Sequence, residues 1–148
     1  MEKFDPRRIS GEQVKGQVGA LCYRTRPSGA VEVLLVTSRD TGRWVIPKGW
    51  PKPGRSDASA AAREAFEEAG AIGKAGADPV GFYTYTKSVP GGQAVTCMVS
   101  VFPLRVDQVR KRFPEVGERV RCWFRPTDAA DKVQERELAN LLRAFVPA

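Results

Sequence analysis

The sequence predicts an α/β fold, an α/β/α sandwich with a mixed sheet held between helices, and three observations predict it. One strongly punctuated helix, residues 56–70, interrupts a series of strand-like runs, so helix and strand alternate along the chain. The run Val31-Glu32-Val33-Leu34-Leu35-Val36 is almost continuously hydrophobic, the pattern of a strand covered on both faces. Near the C-terminus, Leu138, Leu141, Leu142 and Phe145 recur at helical spacing until Pro147, which provides a second helical layer.

In chain order, residues 1–16 read as a polar, charged arm, loose or partly strand-forming. Residues 17–24 and 31–39 are strand-like and joined by a turn at Arg26-Pro27-Ser28-Gly29. A short strand over 43–47 leads into Lys48-Gly49-Trp50-Pro51-Lys52-Pro53-Gly54-Arg55, a basic loop stiffened by two prolines. Ser56 is a helix N-cap, Asp57 suits the first turn, and Gly70 can take the left-handed conformation that ends the helix. Residues 71–78 read as a loop, 80–87 and 94–106 as strands across a turn at Pro90-Gly91-Gly92, and 107–113 as a short helical turn. A strand over 118–124 carries Val120, Cys122 and Phe124 on one side and Arg119, Arg121 and Trp123 on the other. Pro126-Thr127-Asp128 is a helix entry. With no repeat, linker or low-complexity tract, residues 1–148 read as one domain, with 49–71 as its central loop and helix.

Composition narrows the chemistry. The chain contains no histidine, which removes Ser-His and Cys-His nucleophilic catalysis, histidine-ligated zinc and imidazole acid–base work. Acid–base chemistry then falls to carboxylates, Lys, Tyr or metal-bound water. Cys22, Cys97 and Cys122 are widely spaced in apolar runs and read as reduced core residues of a cytoplasmic protein rather than a disulfide or zinc framework. No stretch resembles a membrane span or secretory signal, so no membrane partner is expected. The formal charge is +7 although the central helix is acidic, and basic surface around an acidic site points to a small polyanionic phosphorylated substrate. Nucleic acid is the alternative, since attraction to phosphate does not separate the two; no helix-turn-helix, zinc-finger or aromatic RNA-binding motif is present.

On the helix, Ala62, Ala65, Phe66 and Ala69 share one stripe, read as the buried face, and Glu64, Glu67 and Glu68 gather roughly opposite. Like charges at these spacings cost roughly 0.2–0.5 kcal/mol per pair, and acid near a helix C-terminus opposes the macrodipole. Arg63, one turn before Glu67, offsets only part of this. A solvated acidic face is the ordinary explanation of such a cluster. A divalent cation also explains why acid gathers at the unfavourable end directly after a rigid loop, because hard cations take carboxylate oxygens and share other positions with water and phosphate.

Gly49 followed by Arg63-Glu64-Ala65-Phe66-Glu67-Glu68-Ala69-Gly70-Ala71 resembles the signature of the Nudix hydrolases: a glycine, a glutamate, then Arg-Glu-apolar-x-Glu-Glu-x-Gly-apolar at fixed spacing. One defining position departs, the first glutamate, which is Arg55 here. The resemblance implies an α/β/α sandwich and metal-dependent attack of water on a phosphoanhydride. It implies Mg²⁺ or Mn²⁺ on Glu64 and Glu68 with the carbonyl of Gly49, Glu67 as proton acceptor from water, and Arg63 orienting the carboxylates. At Arg55 it implies weaker or altered metal binding, unless the guanidinium grips an extra phosphate.

The stretch from Thr37-Ser38-Arg39 to Arg43-Trp44-Val45-Ile46-Pro47 and the Gly49 loop resembles the diphosphoinositol polyphosphate phosphohydrolase branch, which also splits dinucleoside polyphosphates. Ser38 and Arg39 are then expected at substrate phosphate, with Lys15, Lys48, Lys87 and Arg121 as further basic candidates. Three readings follow. The first is a pyrophosphohydrolase of diphosphoinositol polyphosphates or dinucleoside polyphosphates. The second is another Nudix activity on nucleoside triphosphates, nucleotide sugars or RNA 5′ ends, the last being the one route to a nucleic-acid partner. The third is a catalytically silent phospholigand-binding module. Homodimerisation stays open on this reading.

Overall fold

The computed structural model of the chain describes residues 8, 9, 12–88 and 90–148. Much of the arm expected over 1–16 therefore lies outside the described residues. Within it, β1 (Arg8–Ile9) and β2 (Glu12–Gln13) form a small antiparallel pair. The main sheet begins with β3 (Lys15–Thr25) and β4 (Val31–Thr37), paired antiparallel across the Arg26–Gly29 turn. Two short strands, β5 (Trp44–Val45) and β6 (Lys48–Gly49), pair with β4 and β3 respectively. Helix α1 (Asp57–Ala69) follows, then β7 (Ala71–Ala75), β8 (Gly81–Ser88), β9 (Ala94–Val109) and β10 (Arg121–Phe124). The chain closes with α2 (Pro126–Lys132) and α3 (Arg136–Ala144).

The strand order β10-β4-β3-β9-β7 makes the sheet mixed, because β3 and β9 run parallel while the other neighbours run antiparallel. Both faces are covered. On one, Ala60, Ala61, Ala65 and Ala69 of α1 pack against Val18, Ala20, Leu34 and Leu104. On the other, Ala129, Leu138 and Leu142 of α2 and α3 pack against Leu21, Leu35, Tyr83 and Val101. In β4, Leu34 and Val36 face α1 while Val33 and Leu35 face the other layer, which is why that run is hydrophobic at nearly every position.

Several expectations need correction. Residues 71–75 form a strand rather than a loop, pairing with the second half of β9 where a Cβ on Gly73 would collide with the Arg105 carbonyl. The helical turn expected over 107–113 is absent, because β9 continues to Val109 to meet β7 and irregular backbone follows. The last strand starts at Arg121 rather than 118. Cys22 and Cys97 are buried, but Cys122 is exposed because β10 is the terminal strand of the sheet. The C-terminal pattern divides into two helices, with α2 ending before Val133.

The buried face of α1 also differs from the stripe read from the sequence. Ala60, Ala61, Glu64, Ala65, Glu68 and Ala69 are buried, and Ala62 and Phe66 only partly so. Two of the glutamates thus belong to the inward face. The termini behave as their residues dictate: the Ser56 side chain accepts from the Ser59 N–H at 3.1 Å, and Gly70 takes φ 68°.

Candidate active site

A cavity of about 220 Å³ opens where α1, β6, β8 and the loop before β10 converge. Glu64 and Glu68 enter it from α1 with only 7% and 5% of their surface exposed. β6 carries Gly49 directly onto Glu64: pairing with Val18 holds the strand there, and a Cβ on Gly49 would collide with Glu64 Oε1. The glycine is therefore needed for close approach of backbone to carboxylate.

Opposite the carboxylates are cations. Lys48 lies with Nζ 4.8 Å from the Tyr85 ring, and Lys87 and Arg39 also line the cavity. Arg119, whose side chain is 10% exposed, donates to Glu115 Oε1 at 3.0 Å and to the Thr37 carbonyl at 3.1 Å, and stands 3.7 Å from Glu68 Oε2. Burial pushes the Glu68 carboxyl up to about 8, with Arg119 and Lys48 opposing the effect and Glu64 reinforcing it. Desolvation likewise raises Glu64, with the Glu67 charge adding to it. Burial also lowers the Lys48 ammonium from its ordinary range. Such a site disfavours unneutralised carboxylate charge.

Among the described residues, no group of three or more His, Cys, Asp or Glu side chains stands close enough to hold a metal ion by itself. Mg²⁺ does not need one, since it commonly takes one or two carboxylates and completes its shell with water and substrate phosphate. Hard oxygen donors from Glu64 and Glu68, buried and facing a polar cavity, fit that ion or Mn²⁺.

The sequence candidates divide into two groups. Ser38, Arg39, Lys48, Gly49, Glu64, Glu68 and Lys87 line the cavity together. Glu67 turns to Arg63, accepting from Nε at 2.8 Å, and both lie outside the cavity lining. Arg55 is exposed in the loop before α1, and Lys15 is exposed at the start of β3. Arg121 donates to the Ala69 carbonyl at 2.6 Å at the C-terminus of α1.

Residues not singled out in the sequence complete the site: Glu115, Arg119, Gln17, Asp40 and Tyr85. The Tyr85 hydroxyl donates to Gln17 Oε1 at 2.6 Å, and the Glu115 N–H donates to the Glu67 carbonyl at 3.0 Å, which ties the loop to α1. Nothing local in the sequence marks that loop's role.

The fold is a three-layer sandwich with a buried carboxylate pair on α1, and that pair shares a cavity with a glycine strand and several basic side chains. The chain belongs to the NUDIX domain family, which it matches over residues 15–145. It is 41% identical over 78 residues to the rat diphosphoinositol polyphosphate phosphohydrolase 2, a match that covers 50% of this chain and 42% of that protein. It is 30% identical over 132 residues to Nudix hydrolase 21, chloroplastic, of Arabidopsis thaliana, covering 87% of this chain and 65% of that one. The chain thus spans less than half the length of the diphosphoinositol relatives it matches. Among solved structures it resembles the C. elegans Ap4A hydrolase, with TM-score 0.61 and 25% identity over 88% of this chain and 95% of that one.

Proposed function

We propose that this protein is a metal-dependent pyrophosphohydrolase that cleaves a phosphoanhydride in diphosphoinositol polyphosphates or dinucleoside polyphosphates. The observation that carries the reading is the inward pair Glu64 and Glu68, buried beneath Gly49 and facing a wall of Lys48, Lys87 and Arg119. The names of the relatives point the same way: diphosphoinositol polyphosphate for one group, Ap4A for the other.

Glu64 and Glu68, with the Gly49 carbonyl, would hold Mg²⁺ or Mn²⁺. When bound, such an ion would supply charge neutralisation at phosphate and a water nucleophile near neutral pH. Lys48, Lys87, Arg39 and Ser38 bind the phosphate chain and hold it in line with the attacking water. Arg119 fixes Glu115 and balances part of the Glu68 charge. Both candidate proton acceptors are held by an arginine, Glu115 by Arg119 at 3.0 Å and Glu67 by Arg63 at 2.8 Å, and Glu115 is the better placed because it lines the cavity while Glu67 lies outside the lining. The two carboxylates and their neighbours titrate as a coupled group.

The test is product analysis on a panel of diphosphoinositol polyphosphates, dinucleoside polyphosphates, nucleoside triphosphates, nucleotide sugars and capped RNA, each with and without Mg²⁺ or Mn²⁺. Release of phosphorylated products only with metal, fastest on the first two classes, is expected. Binding without hydrolysis of any member would leave a silent phospholigand module instead.

A further inference from the structure

The acids at the mouth of the catalytic cavity are as informative as its cations. Arg39 follows β4 and lines the cavity with a side chain 53% exposed, and its Nη1 donates to Glu118 Oε1 at 3.0 Å. The same nitrogen stands 3.8 Å from Glu115 Oε1. Lys48 and Lys87 of the same lining form no such ion pair among the described residues. Arg39 therefore meets an incoming anion already paired, and its main partner, Glu118, lies outside the lining.

The backbone fixes Glu118 from both sides. Its N–H donates to the Glu115 carbonyl at 3.0 Å, which closes a turn. Two residues on, the Thr37 N–H donates to the Val120 carbonyl and the Val120 N–H to the Thr37 hydroxyl, both at 2.9 Å. Thr37 ends β4, so this pairing brings the acid on one segment level with Arg39 on the other. The carboxylates hold the Arg39 guanidinium above its ordinary value, with the Glu118 hydrogen bond contributing most and Glu115 next. Asp40 adds a further acid to the lining, whereas Arg119, the other partner of Glu115, is more deeply buried.

We infer that Glu118 is a specificity-determining residue, which competes with substrate phosphate for Arg39 and so disfavours ligands increasingly as their charge rises. The inference rests on the pyrophosphohydrolase reading and names what limits its substrate range. To engage Arg39, a phosphate must take the guanidinium from Glu118, and the carboxylate is then left uncompensated beside the new anion. Lys48 and Lys87 impose no such exchange. A short phosphate chain that reaches these lysines therefore loses little at the mouth. A densely phosphorylated ligand sets several charges against Glu118, Glu115 and Asp40 together. Because the pair is exposed, it adds little to folding, and its consequence falls on the ligand.

The experiment uses probes that lack a phosphoanhydride and rise in charge: inorganic phosphate, methylenediphosphonate and inositol hexakisphosphate. Their affinities for the full chain are read by calorimetry in excess Mg²⁺. Glu118→Gln removes the charge and keeps an acceptor for Arg39. It should tighten phosphate about twofold and the hexakisphosphate about fivefold or more, with methylenediphosphonate between them. In an Arg39→Gln background the same change should give a gain about half as large or smaller, because the competition for the guanidinium is gone. A variant no tighter than wild type, a gain that does not grow with probe charge, or an equal gain in both backgrounds would overturn the inference. So would failure of every probe to bind either protein, since Arg39 would then meet no phosphate. Binding is read without turnover, so failure to hydrolyse any phosphoanhydride counts against the pyrophosphohydrolase reading and leaves this result standing.

Discussion

Replacing Glu68 with Gln separates the carboxylate's cost to the fold from its use. Burial raises the folded-state pKa of Glu68 to about 8 from an ordinary value of 4.5, against the opposing pull of Arg119 and Lys48. A group whose pKa is raised on folding contributes stability that is fully present below pH 4.5 and is lost as pH rises through about 8. Each unit corresponds to about 1.4 kcal/mol, so the full window is worth at most about 4–5 kcal/mol, and coupling to Glu64 and Arg119 reduces what one residue shows. Without metal, Glu68→Gln should therefore melt several degrees above wild type at pH 8.5 and close to it at pH 4.5, since roughly 2–4 °C accompanies each kcal/mol in a chain of this size. Millimolar Mg²⁺ should raise the wild-type melting temperature increasingly as pH rises, through binding to the folded state, and the variant should lose most of that shift. Turnover should fall by about 10² or more. Differential scanning fluorimetry across pH 4.5–9 with EDTA or Mg²⁺ reads both effects. A variant less stable than wild type at pH 8.5 without metal, or one that keeps the full Mg²⁺ shift, would refute the reasoning.

Gly49→Ala places a Cβ on the Glu64 carboxylate and should cost about 1–3 kcal/mol in urea unfolding while weakening Mg²⁺ binding measured by calorimetry. Arg119→Lys retains charge but cannot reach Glu115, the Thr37 carbonyl and Glu68 together, so urea unfolding should show a loss of about 2–3 kcal/mol; a loss below 0.5 would contradict the role given to its fork. Arg55→Glu should tighten Mg²⁺ binding in the same calorimetric assay. If it also lowers activity on the longest phosphate chain, the guanidinium acts on substrate despite its exposed position in the loop before α1.

What could be read from the sequence was local. Ser56, Gly70 and the glutamates between them define α1 within a few turns, and the hydrophobic run in β4 reports its two covered faces without any knowledge of what covers them. The site's other wall depends on chain separation. Glu115 and Arg119 reach the cavity only because β9 runs on to pair with β7, which returns the following loop to α1, and neither residue belongs to a periodic pattern. The inward face of α1 was misread for a related reason, since periodicity places alanines inside but does not reveal that two acids accompany them.

The tension noted in the sequence, acid at the end of a helix that ought to carry base, resolves through distant residues. No basic side chain lies in the last turn of α1. Arg121 instead caps the Ala69 carbonyl from β10, and Arg119, arriving just before that strand, stands against Glu68. The cations that complement the helix dipole thus come from the sheet edge, which leaves the inner surface of the last turn to carboxylates. Cationic side chains within the turn itself would compete with a metal for Glu64 and Glu68. Arg121 on β10 compensates the helix end from outside the turn, and Arg119 in the loop before it balances part of the Glu68 charge. This arrangement also makes the site's charge balance depend on docking of the loop over residues 110–120, so metal affinity and the stability of that loop should rise and fall together.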